Sequence, residues 1–350
     1  LQDAEFTVKY YDNTDGDSSG TPKRTWVFKT NNNGVVNLKN KSLKIAGDDL
    51  YLGIDGAPVM PLGTYTIQET KAPKGYLINP ELHKAVVVDD GAGNATWKKL
   101  DNWDSKLYQQ LDPNSTIRPI LEQVIRGSVE VHKLDRELEK SNSQGDGSLE
   151  NITYNIINKN KNSVVIDGKT ARPEEVCATI TTLKTSDGYV AKTPPKTLPY
   201  GSYELVEATS NESYLNDGFK QSFTIEHDNQ HIVFDGNASS KDTVVRGGVK
   251  LAKVDRELMK HLPSGAATLE GTEFSVVNSS KSSVWVNDTL YEPGQVVAKL
   301  YADKTGVVTT PPNLLPYGTY TITETKAPKG YLLNTTYSKV VQVRENGKIY

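Results

Sequence analysis

The sequence predicts an all-β protein built from tandem β-sandwich domains, and three observations carry the prediction. First, the segment Met60 to Glu69 returns as Leu198 to Glu207 and again as Leu315 to Glu324, each time around Gly-[Thr/Ser]-Tyr. A second block, Gly127 to Leu138, returns as Gly247 to Leu258, which sets a repeat of about 120 residues, too long for a solenoid unit and right for a domain. Second, the composition favours strands: Tyr (18) far outnumbers Phe (6), and Val, Ile and Thr are plentiful. Third, short alternating apolar runs are separated by Gly, Asn and Asp turns every ten or so residues, as in a sandwich.

The elements follow in chain order. Leu1 to Val8 matches Leu269 to Val276, so the first unit is expected to begin mid-domain, without the strand that carries Lys133 and Lys253 in the other two. The third is expected to stop before the segment that matches Ile232 to Val245, and the chain reads as a fragment of a longer protein. Joints are expected at Arg126-Gly127 and Arg246-Gly247, giving domains 1–126, 127–246 and 247–350 with almost no linker between them. Strands are expected at Ser163 to Ile166, Val176 to Ile180, Phe223 to Ile225 and Lys339 to Val343. Asp228-Asn229-Gln230 and Glu345 to Lys348 read as hairpin tips, and the proline before each Gly-[Thr/Ser]-Tyr favours an extended entry and a turn. Glu174 to Ala178 is expected to form one short helical turn.

Strand parity singles out the charged residues of interest. Side chains alternate between faces, so Lys133 shares a face with Val129 and Val131, and Lys253 with Val249 and Leu251. Likewise Glu69 follows Tyr65 and Ile67, Glu207 follows Tyr203 and Leu205, and Glu324 follows Tyr320 and Ile322. A buried charge costs several kcal/mol, of order, unless it is paired or neutralised. Burial raises the pKa of a carboxyl and lowers that of an amine, so a buried Lys–Glu pair can relax to a neutral nucleophile beside a neutral acid. With an Asn or Asp side chain adjacent, the chemistry to expect is an amide between that side chain and the lysine.

At these residues the sequence resembles the Cna protein B-type, or SpaA-like, domains of Gram-positive surface proteins and pilins. The resemblance rests on Lys133-x-Asp135 and Lys253-x-Asp255 opening a domain, and on Glu-Thr-x-Ala-Pro-x-Gly-Tyr after Tyr65 and Tyr320. It covers essentially the whole chain in three copies. It implies a prealbumin-like, immunoglobulin-like sandwich, domains arranged end to end, and an extracellular stalk at the bacterial cell wall. It also implies an autocatalytic isopeptide bond between a first-strand lysine and a last-strand Asn or Asp, promoted by the central glutamate. Carried over by position, Lys133 and Lys253 would be the nucleophiles and Glu69, Glu207 and Glu324 the catalytic acids. Asp242, in phase with Val244, ranks above Asn237 as the acceptor. Asn211 and Ser213 stand where the motif has Pro and Gly, a departure that leaves Glu207 in place.

Other function classes find little support. The charge balance, 40 Lys+Arg against 43 Asp+Glu, offers no basic excess for nucleic acid. No run of about 18 apolar residues spans a membrane. Cys177 is the single cysteine, so no internal disulfide forms, and it reads as a small buried hydrophobe. The acidic run Asp12 to Asp17 fails calcium-loop spacing, because Gly16 at position six puts Tyr11 at position one. The five histidines are scattered, and neither a metal, a cofactor nor turnover of an external substrate is expected. Two rival readings remain: an adhesin region that grips a host protein or glycan, with Trp26, Trp97 and Trp103 as the candidate aromatic patch, and an accessory module of a surface carbohydrase.

Overall fold

The computed structural model describes residues 1–101 and 119–350. Among them the secondary structure is strand, apart from two single 3-10 turns at Lys41–Leu43 and Gly236–Ala238. No described helix is long and apolar enough to cross a membrane. The chain forms two compact units, residues 1–126 with 225–229, and residues 127–224 with 230–350.

The first unit is built on a six-stranded antiparallel sheet. Its order is Lys44–Gly47, Arg24–Lys29, Glu5–Tyr11, Gly63–Lys71, Leu82–Asp89 and Ala95–Asp101. Alternate residues Val8 and Tyr10 on one strand and Trp26 and Phe28 on its neighbour meet Tyr65 and Val87 in a shared core. Trp26 is buried there beside Tyr10 and Tyr51, which removes it from the expected surface patch: its indole covers the core and its Nε1 donates to the Asp49 carbonyl. Trp97 lies on the edge strand Ala95–Asp101, and Trp103 falls outside the described residues.

The second unit contains two similar sandwiches. In the first, Val176–Thr181, Thr153–Asn158, Gly201–Thr209 and Lys220–Ile225 form one antiparallel sheet. The other sheet runs Leu183–Thr185, Gly188–Lys192, Arg126–Asp135, Ser240–Val244 and Tyr214–Leu215. Val129, Val131, Tyr154, Ile156, Tyr203 and Leu205, drawn from both sheets, are fully buried. The segment after Asp228-Asn229 does not fold back as a hairpin. His231–Phe234 joins the other sheet and pairs parallel with Arg126–Asp135, opposite Ser128 to Val131, with Phe234 buried. After the 3-10 turn the chain resumes the same parallel pairing with Ser240 opposite Lys133. The expected helical turn at Glu174 is instead a tight turn, with Glu174 at φ 67, leading into the strand Val176–Thr181; the preceding Pro173 removes a backbone donor.

The second sandwich repeats the four-stranded sheet with Val296–Tyr301, Glu273–Asn278, Gly318–Lys326 and Ser338–Val343. Its core gathers Val249, Phe274, Val276, Tyr320, Ile322 and Val343. Lys250–Ala252 pairs with Val307–Thr309, and Ile349 bridges Gly248 in the parallel sense.

The two sandwiches of this unit are joined by polar contacts. Arg246 donates to the Glu137 carboxylate at 2.6 Å and to the carbonyls of Trp285 and Leu314 at 2.7 and 3.0 Å. Asp146 accepts from Thr319, Arg344 and the Lys281 backbone, which holds its carboxyl below the usual carboxylate range against the opposing effect of burial. Gln144 receives the Trp285 N–H on its oxygen and gives its own amide protons to Asp135 and Glu137.

Candidate functional site

The recurring Gly-[Thr/Ser]-Tyr motif fixes the central strand of each copy. The tyrosine hydroxyl reaches back four residues to a proline carbonyl: Tyr65 to Pro61 at 2.8 Å, Tyr203 to Pro199 at 2.7 Å and Tyr320 to Pro316 at 2.8 Å. The glycine is needed for close approach. At Gly201, φ is 142 and a Cβ would stand 2.0 Å from the Asn160 side chain. With the strand pinned at the tyrosine, the glutamate four residues on points inward. Glu69, Glu207 and Glu324 are all buried, and each pairs across the sheet with an aromatic residue, respectively Phe6, Tyr154 and Phe274.

In the middle copy these elements meet at Lys133. Its Nζ lies 2.7 Å from Glu207 Oε2, 2.7 Å from Asp242 Oδ1 and 2.9 Å from Ser240 Oγ. The Lys133, Glu207 and Asp242 side chains have no solvent exposure. The ring of Tyr154 closes one wall, with its centroid 5.9 Å from Nζ, and burial pushes its hydroxyl well above the ordinary tyrosine range. Asp242 also accepts from Ser210 Oγ at 3.1 Å and from the Asp217 N–H at 3.3 Å. Burial pushes the Glu207 carboxyl up to about 7; the Lys133 ammonium pulls the other way, and the adjacent Asp242 carboxyl reinforces the rise. Glu207 Oε1 has no donor among the described residues, so a proton held there turns the contact with Asp242 from repulsion into a hydrogen bond. Asn237, the other candidate acceptor, sits in the exposed 3-10 turn that interrupts the last strand, away from this cluster.

The other copies hold parts of the same arrangement. Lys253 Nζ lies 2.6 Å from Glu324 Oε2, but the lysine side chain is 15% exposed. In the first unit Glu69 Oε2 accepts from the Asn79 N–H at 2.6 Å, and a second acid, Glu122, lies beside it. Burial, reinforced by Glu69, pushes the Glu122 carboxyl up to about 7. The pairing of Val124 with Tyr76 repeats that of Val244 with Tyr214, which puts Glu122 at the register position of Asp242.

Sequence reasoning gave no role to three contributors, although it quoted one of them, Asp135, in the Lys-x-Asp motif. Ser240 is one, a small polar residue with no distinctive spacing. The second is Asp135, which accepts from the Glu137 and Leu138 N–H groups, from Gln144 and, at 2.7 Å, from Tyr214; Asp255 repeats the set with Tyr331 and Ser264. This explains structurally why the lysine strand carries Lys-x-Asp and why a tyrosine follows the degenerate loop. The third is Glu122, whose place depends on a strand pairing that no sequence motif announces. Cys177 is half-buried on the edge strand Val176–Thr181, its thiol donating to the Ile156 carbonyl, and burial pushes it up to about 11.

The arrangement brings an amine into contact with two carboxyls in a dry pocket, with a hydroxyl between them. Among the described residues no group of His, Cys, Asp and Glu side chains is placed to hold a metal. Among solved structures, the chain aligns over its full length with the Bacillus anthracis TIE protein at 21% identity and a TM-score of 0.48, spanning 47% of that chain, about half its length. It aligns over its full length with a Streptococcal ancillary pilin at 15% identity and a TM-score of 0.29, spanning 92% of that chain. BcpA, the major pilin subunit of Bacillus cereus, aligns at 17% identity and a TM-score of 0.29, over all of this chain and 93% of its own. No curated protein matches the sequence. The family model for the SpaA prealbumin-like fold domain matches residues 1–101, 130–238 and 247–350, most of the sequence in three copies. The chain therefore belongs to the SpaA prealbumin-like fold domain family.

Proposed function

We propose that the chain is a structural stalk segment of a Gram-positive cell-surface protein, with domains 1–126, 127–246 and 247–350, and that its own chemistry is an intramolecular Lys133–Asp242 amide. One observation carries the reading: the Lys133 amine touches both Asp242 and Glu207 where none of the three is exposed. An ordinary structural ion pair gains little from such burial, since the desolvation cost offsets much of the attraction. A reaction that removes both charges gains from it. Contact distance supplies the high effective molarity that condensation of an amine with a carboxyl needs. Glu207, protonated near neutrality, polarises the Asp242 carbonyl and returns a proton to the departing oxygen. The product is an amide and one water.

A stalk role accords with the family and with chemistry spent within the chain. Acting outside the cell, the amide would serve where other proteins use disulfides, which one cysteine cannot form. The adhesin reading loses Trp26 from its aromatic patch, and no observed feature favours the carbohydrase module.

The test is the intact mass of freshly expressed chain. It should lie one water below the value calculated from the sequence, and Lys133→Ala or Glu207→Ala should restore the calculated mass. An unmodified wild-type mass would leave only a buried ion pair.

A further inference from the structure

We propose that Ser240 is a catalytic proton relay between Lys133 and Glu207, an inference that rests on the cross-linking reading above. Ser240 stands opposite Lys133 in the parallel register, so both side chains emerge on the same buried face. Its Oγ accepts from Lys133 Nζ at 2.9 Å and donates to Glu207 Oε2 at 3.0 Å. Two other buried hydroxyls of the same sandwich give their proton to a backbone carbonyl, Ser239 to Gly236 and Thr182 to Leu149. Ser240 instead commits its proton to one reacting group and a lone pair to another.

The first domain offers a comparison. The register that places Glu122 at the position of Asp242 places Ile120 at that of Ser240. There Glu69 accepts from a backbone N–H, and the residue aligned with Ser240 carries no hydroxyl.

The relay resolves a proton problem in the condensation. Lys133 first gives a proton to Asp242, leaving a neutral amine and a neutral acid in contact. Attack of Nζ on Asp242 Cγ forms the C–N bond and puts a positive charge on the nitrogen. That nitrogen must then lose a proton while one Asp242 oxygen gains one. Ser240 Oγ takes the proton from Nζ and passes its own to Glu207 Oε2. Glu207 gives the proton on Oε1 to the Asp242 hydroxyl, which leaves as water when the C–O bond breaks. Glu207 and Ser240 end as they began, and the balance is one amide and one water.

The experiment follows mass loss with time in the full 350-residue chain, recovered unreacted from inclusion bodies and refolded. Ser240→Thr and Ser240→Val are close in shape but differ in the hydroxyl. The threonine chain should lose water within a few-fold of the wild-type rate. The valine chain should be slower by about 10²-fold, the scale of a lost acid–base step, and its solvent deuterium isotope effect should fall. Equal rates in the two variants would overturn the relay, because a packing role does not distinguish them. A wild-type chain that never loses water would overturn the cross-link reading itself, and the relay with it.

Discussion

At the residue scale, the pocket around Lys133 works by the sign of two effects. Removing water raises the Glu207 carboxyl, while the lysine charge opposes the rise; burial wins, and the group sits at about 7 instead of near 4.5. In the unreacted fold the proton is therefore retained between about pH 4.5 and 7, where an unfolded chain has lost it. Stability of the unreacted fold should consequently fall as pH climbs through that window. In the proposed reaction the protonated acid is also the form that promotes condensation, so the rate of water loss should hold below about pH 7 and decline above it. Refolding at a series of pH values, followed by intact mass, checks the decline; a rate still rising from pH 7 to 9 would contradict it. Much of this pocket was legible in the sequence. Parity alone predicts that Lys133 and Glu207 face the core, since a strand cannot turn one residue outward without turning its neighbours. Choosing between Asp242 and Asn237 was harder, because a one-turn interruption of the last strand resets the parity between them. Ser240 left no trace, since a serine in a strand is as common on either face.

At the element scale, each central strand is anchored by a tyrosine hydroxyl on a proline carbonyl four residues earlier. The repeated Pro-x-Gly-x-Tyr pattern predicts the turn, but the bond that holds it becomes visible only in three dimensions. Tyr203→Phe removes the hydroxyl and leaves the Pro199 carbonyl buried without its donor, at a cost of about 1–3 kcal/mol. Thermal unfolding of the variant should show a lower midpoint, with the cross-link still forming in the folded fraction. The expected hairpin at Asp228-Asn229 failed for a related reason. Turn chemistry predicts a reversal of direction, yet it does not say whether the next strand returns to the same sheet. The apolar alternation of His231–Phe234 is satisfied equally by either sheet, and the pairing with Val129 and Val131 decides it.

At the scale of the whole molecule, the two sandwiches of the second unit are coupled through side chains that also touch the lysine strand. Gln144 ties Asp135, two residues from Lys133, to the Trp285 backbone, and Arg246 ties Glu137 to three carbonyls beyond the joint. Arg246→Ala removes the charged hub: Glu137 loses its cation and keeps the Gln144 amide, and the Trp285, Leu314 and Asn313 carbonyls each lose a donor. Calorimetry of this variant should resolve separate transitions for residues 127–246 and 247–350 where the parent shows closer coupling. Unchanged coincidence of the two transitions would mean that the apolar contacts suffice. The proposed amide would add about 5 kcal/mol to residues 127–246, by analogy with a disulfide that closes a loop of about 100 residues.

The parallel pairing of Ser240 with Lys133 has a further consequence under tension. The chain enters the middle domain along one of these neighbouring strands and leaves along the other. With the proposed amide in place, a force drawing the two ends apart would run from Lys133 through the amide to Asp242 and out, bypassing the roughly 108 residues between them. At about 3.4 Å per extended residue, this withholds roughly 370 Å of contour length that an unlinked domain would release on rupture. Single-molecule stretching should show no lengthening step of that size from the wild-type chain, and should show one from Lys133→Ala.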